Sequence, residues 1–153
     1  MNPLVAQAVA VTAHAGQRTR LGEPLVGHLR RVAARVPSQA VAIAWLHDVG
    51  ERGVTSVHDL LARGITPAEL SALELLTYTD GEDFSLYMRR IARANGEAGV
   101  LARAIKLAEL EDHLSRLASS SSARGRYELA REEILRGQRR SKRRSAERRG
   151  VPA

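Results

Sequence analysis

The sequence predicts an all-α fold, a compact bundle of about seven or eight helices. Three observations carry this reading. No stretch of useful length alternates apolar and polar residues as a half-buried strand would. Aromatic residues make up only 3% of a chain that is 44% hydrophobic. The core is therefore built from Leu, Ile, Val and Ala, which favour packed helices. Apolar positions also recur at helical spacing between marked starts and stops.

Residues 3–14 read as the first helix, with Leu4, Ala8 and Val11 on its apolar face and Val5 and Val9 widening it; Gly16 ends it. A short basic loop over 17–23 holds Arg18, Arg20 and Gly22. Pro24 opens the second helix at a position that tolerates proline. Leu25, Leu29, Val32 and Val36 form its buried face, His28 lies on the same side, and Pro37 stops it. Ser38 caps a third helix, which carries the apolar run 41–46 to the pair His47-Asp48. Gly50, Gly53 and Thr55 mark the turn beyond.

A short helix over 55–63 closes at Gly64. Thr66-Pro67-Ala68-Glu69 has the spacing of a capping box and opens a helix to about residue 77, with Leu70, Leu73, Leu75 and Leu76 as its apolar positions. Thr79-Asp80-Gly81 is a turn. Residues 83–95 form the next helix, ended by Asn95-Gly96. The longest helix runs from 97 to about 117, with Val100, Leu101, Ala104, Ile105, Ala108 and Leu114. After a serine linker over 119–122, residues 123–136 form a last amphipathic helix bearing Tyr127, Ala130, Ile134 and Leu135, and Gly137 is expected to end it.

A length of 153 residues points to one domain. Residues 1–137 are expected to form it, and 138–153 to be a disordered, arginine-rich tail. That tail holds seven Arg or Lys against one acid, Glu147, and so carries +6 of the net charge of +7. The body is close to neutral, which excludes a basic nucleic-acid-binding domain. The tail alone suits a weak, salt-sensitive contact with nucleic acid, or is simply a solvated end. The chain has no cysteine, which excludes a disulfide framework and thiolate metal sites and fits a reducing, cytoplasmic setting. The apolar stretch 4–11 is broken by Gln7 with no basic region before it, so it reads as a helix and not a signal peptide. No run approaches the length of a membrane span.

The chemistry gathers around His47-Asp48. Adjacent residues on a helix differ by about 100° in direction. An imidazole and a carboxylate side by side at a helix end reach one point only if it lies beside them, and a metal ion is such a point. Nitrogen and oxygen donors together suit manganese, iron or zinc better than magnesium. Glu51 lies one turn further on and would face the same place. His28 on the preceding helix and Glu109 at the edge of a buried face of the long helix complete a set of two imidazoles and two carboxylates that would hold one octahedral metal. Plainer readings stand beside this one. The pair is also an ordinary polar helix end, His28 a hydrogen-bonded core histidine, Lys106 and Glu109 an i, i+3 ion pair, and Arg18 and Arg20 solvated loop residues.

Five stretches recur in a familiar order: His14-Ala15-Gly16-Gln17 with Gly22-Glu23-Pro24 and His28; Leu46-His47-Asp48-Val49 with Glu51; Asp59-Leu60-Leu61 with Gly64 and Leu76-Thr77; Ile105-Lys106-Leu107-Ala108; and Tyr127 with Arg136-Gly137. As a set, covering about residues 5–137, they resemble the HD-domain metal phosphohydrolases. Within these they are most similar to the small alarmone hydrolases, guanosine 3′,5′-bis(diphosphate) 3′-pyrophosphohydrolases of the RelA/SpoT type. The resemblance implies that His28, His47, Asp48 and Glu109 bind one metal, usually manganese, and that Glu51, with Asp48, serves catalysis by orienting or deprotonating the attacking water. It places Arg18 and Arg20 against the guanine and phosphates of a nucleotide substrate, and Lys106, Arg124, Arg126 and Tyr127 on its far side. The chain differs from the family pattern in having Glu109 for aspartate, Arg52 for aspartate, Thr19 between Arg18 and Arg20 where an arginine is expected, and His113 for asparagine. Two alternatives stay open on these differences: a phosphohydrolase for another nucleotide or phosphoester, and a nucleotide-binding domain that has lost catalysis.

Overall fold

The computed structural model describes residues 1–50 and 55–150. These form eight α-helices: α1 (Pro3–Ala13), α2 (Leu25–Ala33), α3 (Val41–Leu46), α4 (Val57–Ala62), α5 (Pro67–Leu76), α6 (Phe84–Arg93), α7 (Gly96–Arg116) and α8 (Arg124–Arg148), with a 3₁₀ turn at Ser38–Ala40. No strand occurs among the described residues. Arg18 and Pro24 make an isolated antiparallel bridge that folds the basic loop back on itself. No described helix is long and apolar enough to cross a membrane. The all-α bundle expected from the sequence is the observed architecture.

Local chemistry sets the helix starts. Asn2 caps α1 by accepting from the Leu4 amide, Asp83 caps α6 by accepting from Leu86, and Pro3 and Pro67 sit in first turns where no amide is needed. The capping box forms as read: the Thr66 hydroxyl accepts from the Glu69 amide at 3.2 Å and the Glu69 carboxylate from the Thr66 amide at 2.8 Å. Arg90 of α6 donates to the Glu74, Leu75 and Thr77 carbonyls, closing the end of α5.

Two elements pack the others. α3 is only six residues long, yet Ala42, Ile43, Ala44, Trp45 and Leu46 are all buried, and α1, α2 and α5 surround it. α7 runs between α2, α5, α6 and α8, burying Leu101, Ala102, Ile105, Ala108 and Leu110. Three polar side chains of α7 are also buried, namely Arg103, Lys106 and Asp112, with Arg103 and Asp112 on opposite sides of the helix.

Two expectations are corrected. On α1 the buried positions are Ala6 and Ala10, while Leu4 and Val11 face outward. α1 is apolar nearly all round, so periodicity alone does not choose its face, and the small alanines let it close on α3. At the other end, residues 138–148 are not a disordered tail, because α8 continues without a break to Arg148. Arg, Lys, Gln, Ala and Glu are strong helix formers, and Arg143 and Glu147 pair at 3.7 Å across one turn. Gly137 does not end the helix. It lies at the contact with α6, where an added Cβ would fall 2.3 Å from the Ala92 carbonyl oxygen.

Candidate metal centre

α3 ends where α2 crosses it, and this brings His47 and Asp48 to His28. One ligand atom from each of these three residues lies within 4.8 Å of the others. The rings of His28 and His47 meet edge to face at 5.5 Å. Gly50 lets the end of α5 approach closely, since a Cβ there would come within 2.6 Å of the Thr77 hydroxyl oxygen.

Both imidazoles are held in a defined tautomer. His47 Nδ1 donates to the Ala44 carbonyl at 2.7 Å. Its Nε2 is buried, has no hydrogen-bond partner, and lies 3.5 Å from Asp48 Oδ1. His28 Nδ1 donates to Asp112 Oδ2 at 2.9 Å, which leaves Nε2 as its free donor atom. A ring N–H bound to a carbonyl or carboxylate, with the second nitrogen bare, is how proteins prepare histidine for a metal. Burial, followed by the neighbouring His47, pushes the His28 pKa down against the pull of Asp112, which favours the neutral ring a metal needs. The buried bare nitrogen of His47 beside a carboxylate oxygen fits a cation between them. The donor set of two imidazoles and one carboxylate matches manganese, iron or zinc.

Asp112 anchors this arrangement, and the sequence reading missed it. The carboxylate is fully buried. Oδ1 accepts from Arg31 Nε at 2.7 Å and Arg35 Nη1 at 2.8 Å, while Oδ2 accepts from His28 and from Arg31 Nη2 at 2.9 Å. Burial pushes its pKa up, but Arg31 and His28 outweigh that and hold the carboxyl well below the usual range. Arg31 and Arg35 follow His28 by one and two turns on the same helix face, a cluster of cations that calls for an acid without indicating which one.

Glu109 does not join the three ligands among the described residues. Lys106 Nζ lies 2.5 Å from Glu109 Oε2, a close ion pair. Burial raises the Glu109 pKa, but Lys106 and the nearby His47 and His113 outweigh this and hold it at about 2. Lys106 is raised in turn, since the Glu109 charge overcomes its own burial. The plainer i, i+3 pair is thus formed, at the wall of the same cavity.

That cavity has a volume of about 520 Å³. His28, Asp48, Lys106 and Glu109 line its polar side, and Tyr78, Phe84, His113 and Tyr127 its aromatic side. The His113 ring stacks on His28 at 5.1 Å, nearly parallel, and contacts Tyr127 at 5.4 Å. The Arg126 guanidinium lies 4.8 Å over the Phe84 ring. Arg20 and Thr19 complete the wall from the basic loop. Of the expected substrate contacts, Arg20, Lys106, Arg126 and Tyr127 therefore meet at one cavity.

Two others do not line it. Arg18 turns back to donate to the Gly22 carbonyl at 2.5 Å, inside its own loop. Arg124 donates to the Leu114 and Leu117 carbonyls at 3.2 Å each, closing the end of α7. Glu51 and Arg52 lie outside the described residues. Comparison with known proteins yields no matching family model. No curated protein shows significant similarity to the chain.

Proposed function

We propose that the protein is a metal-dependent phosphohydrolase acting on a nucleotide, with guanosine 3′,5′-bis(diphosphate) as substrate and pyrophosphate released from the 3′ position. One observation carries the reading. His28, His47 and Asp48 converge, with a bare, buried imidazole nitrogen on His47, and His28 and Asp48 line a cavity whose walls offer three cations and several aromatic rings. His28, His47 and Asp48 would hold a transition metal such as manganese. When bound, the ion supplies Lewis acidity toward a phosphoryl oxygen and lowers the pKa of water.

The chain's own groups do the rest. Lys106, Arg20 and Arg126 face the cavity and neutralise phosphate charge. The rings of Phe84, Tyr127 and His113 offer faces for a base. Asp112 and the Ala44 carbonyl fix both histidine tautomers, so no reorientation is needed on binding. Glu51, by its place in the sequence, takes the proton of the attacking water. The water oxygen bonds to the 3′ phosphorus, the bond to the ribose oxygen breaks, and the proton ends on that oxygen.

The test is hydrolysis of this alarmone by purified protein with manganese, beside Asp48→Ala. Turnover in the first and none in the second supports the proposal. Absence of both bound metal and turnover overturns it. A second reading, another nucleotide substrate, draws on His113 and Thr19 at the cavity wall and on Arg18 turned away from it. Release of orthophosphate from simple nucleotides, without alarmone turnover, would select it.

A further inference from the structure

The arginine-rich end of the chain plays no part in the metal centre, yet its first two helical turns are built into the fold. Gly137 packs on Ala92, and Arg140, Ser141 and Arg144 follow it at i+3, i+4 and i+7, all on one face of α8. With Arg93 and Asn95 they line a cleft of about 360 Å³. At its base lies Arg103 of α7, only 1% exposed. Its Nη1 donates to the Ala94 carbonyl at 2.5 Å and to Ile91 at 3.5 Å. Its Nε is buried and has no hydrogen-bond partner. No carboxylate pairs with Arg103 among the described residues.

A buried guanidinium facing two carbonyls is an incomplete arrangement. Capping the end of α6 uses Nη1 alone and leaves an ionised group without a counter-charge, which is costly in a protein interior. The surroundings add further positive charge. Arg144 is held over the cleft by a hydrogen bond to Asn95 at 3.1 Å. Arg140 has only a long contact of 3.9 Å with Glu133, and no acid pairs with Arg93 among the described residues. Burial, with Arg140 nearby, disfavours the charged form of Arg103. An anion would reverse that. Planar guanidinium forks match tetrahedral oxyanions in shape and charge.

We propose that the cleft between α6, α7 and α8 binds a phosphate-type oxyanion, either free phosphate or the phosphoryl end of a small ligand, with the Arg103 guanidinium as its innermost charge and Arg140 and Arg144 closing over it. This site is separate from the cavity at the metal centre: Arg140 and Arg144 lie about 20 Å or more along α8 from Arg126. It stands whether or not the protein is a hydrolase.

The test is calorimetric titration of the full chain, metal-free and at constant ionic strength, with inorganic phosphate and with a nucleoside monophosphate. Two variants accompany it. Arg140→Ala with Arg144→Ala removes exposed side chains and leaves the core intact; Asp48→Ala alters the other cavity. Saturable phosphate binding that falls at least about tenfold in the double arginine variant, and persists in Asp48→Ala, supports the proposal. Equal affinity for both probes assigns the cleft to the free anion, and tighter binding of the monophosphate assigns it to a phosphorylated ligand. Absence of saturable binding overturns the proposal, as does binding lost in Asp48→Ala and kept in the arginine variant. A single-stranded oligonucleotide that binds through Arg140 and Arg144 while phosphate does not also overturns it.

Discussion

Replacing Asp112 by asparagine separates fold stability from metal binding. The carboxylate is fully buried and accepts from His28, Arg31 and Arg35, so the amide loses both the charge and part of the acceptor capacity. Breaking a buried charge pair costs about 3–5 kcal/mol when the stranded charge stays dry. Here Arg31 and Arg35 are 26% and 38% exposed, and water takes over part of their hydrogen bonding. A loss of about 2–3 kcal/mol follows. In a chain of this size that lowers Tm by about 4–12 °C. The second effect falls on His28, whose Nδ1–H loses its carboxylate and whose Nε2 becomes a weaker, less fixed donor. Losing such a partner weakens metal affinity about 10–100-fold, or about 1.4–2.8 kcal/mol. Urea unfolding of metal-free protein reads the first effect, and manganese titration against a competing chelator reads the second. Arg35→Ala is the control, since it removes one contact to Asp112 without touching His28. Unchanged manganese affinity in Asp112→Asn, with stability reduced, would refute the role of Asp112 in preparing His28.

Lys106→Met removes the cation that holds Glu109 and leaves that carboxylate free at the cavity wall, so manganese binds more tightly while a phosphorylated substrate binds less well; looser metal binding would contradict this. Gly137→Ala gains about 1 kcal/mol of helix propensity but places a methyl group against the Ala92 carbonyl, and the overpacking costs about 1–3 kcal/mol, so denaturant unfolding shows a net loss of stability. Glu69 has its carboxyl held below the usual range: burial pushes it up, but the Met1 ammonium at 2.7 Å and the Thr66 amide and hydroxyl outweigh that. A depressed folded pKa contributes stability that is present above the unfolded value of about 4.3 and is lost as pH falls through the folded one. Glu69→Gln therefore lowers Tm at neutral pH and makes the acid limb of the Tm–pH curve shallower, and parallel curves would refute the assignment.

Helix boundaries were legible where the chain carries local chemistry. The Thr66–Glu69 box and Gly64 each act within a few residues, and the structure uses both. The convergence of His28 with His47 and Asp48 was legible too, because each sits at a marked place on its own helix. Long-range pairing was not. Asp112 meets His28 across 84 residues, and no spacing rule reaches that far. The face of α1 was misread because its apolar residues surround the axis, so tertiary fit with α3 decided it. Glu109 looked equally suited to metal and lysine, and the nearer charge holds it. The family resemblance placed Arg18 and Arg124 near a substrate, but backbone carbonyls close at hand take their donors. The end of α8 was judged by its charge, although those residues are strong helix formers that find packing at Gly137.

The shortness and depth of α3 have an optical consequence. The chain has one tryptophan, Trp45, and it lies in this helix at 6% exposure, two residues before His47. Its indole is thus largely shielded from water, and its emission is expected to shift to the red when the centre of the bundle opens. A paramagnetic ion beside His47 and Asp48 would quench it from the next turn of the chain. Intrinsic fluorescence would thereby report core integrity, and occupancy of the proposed metal centre, from one native chromophore with no label attached.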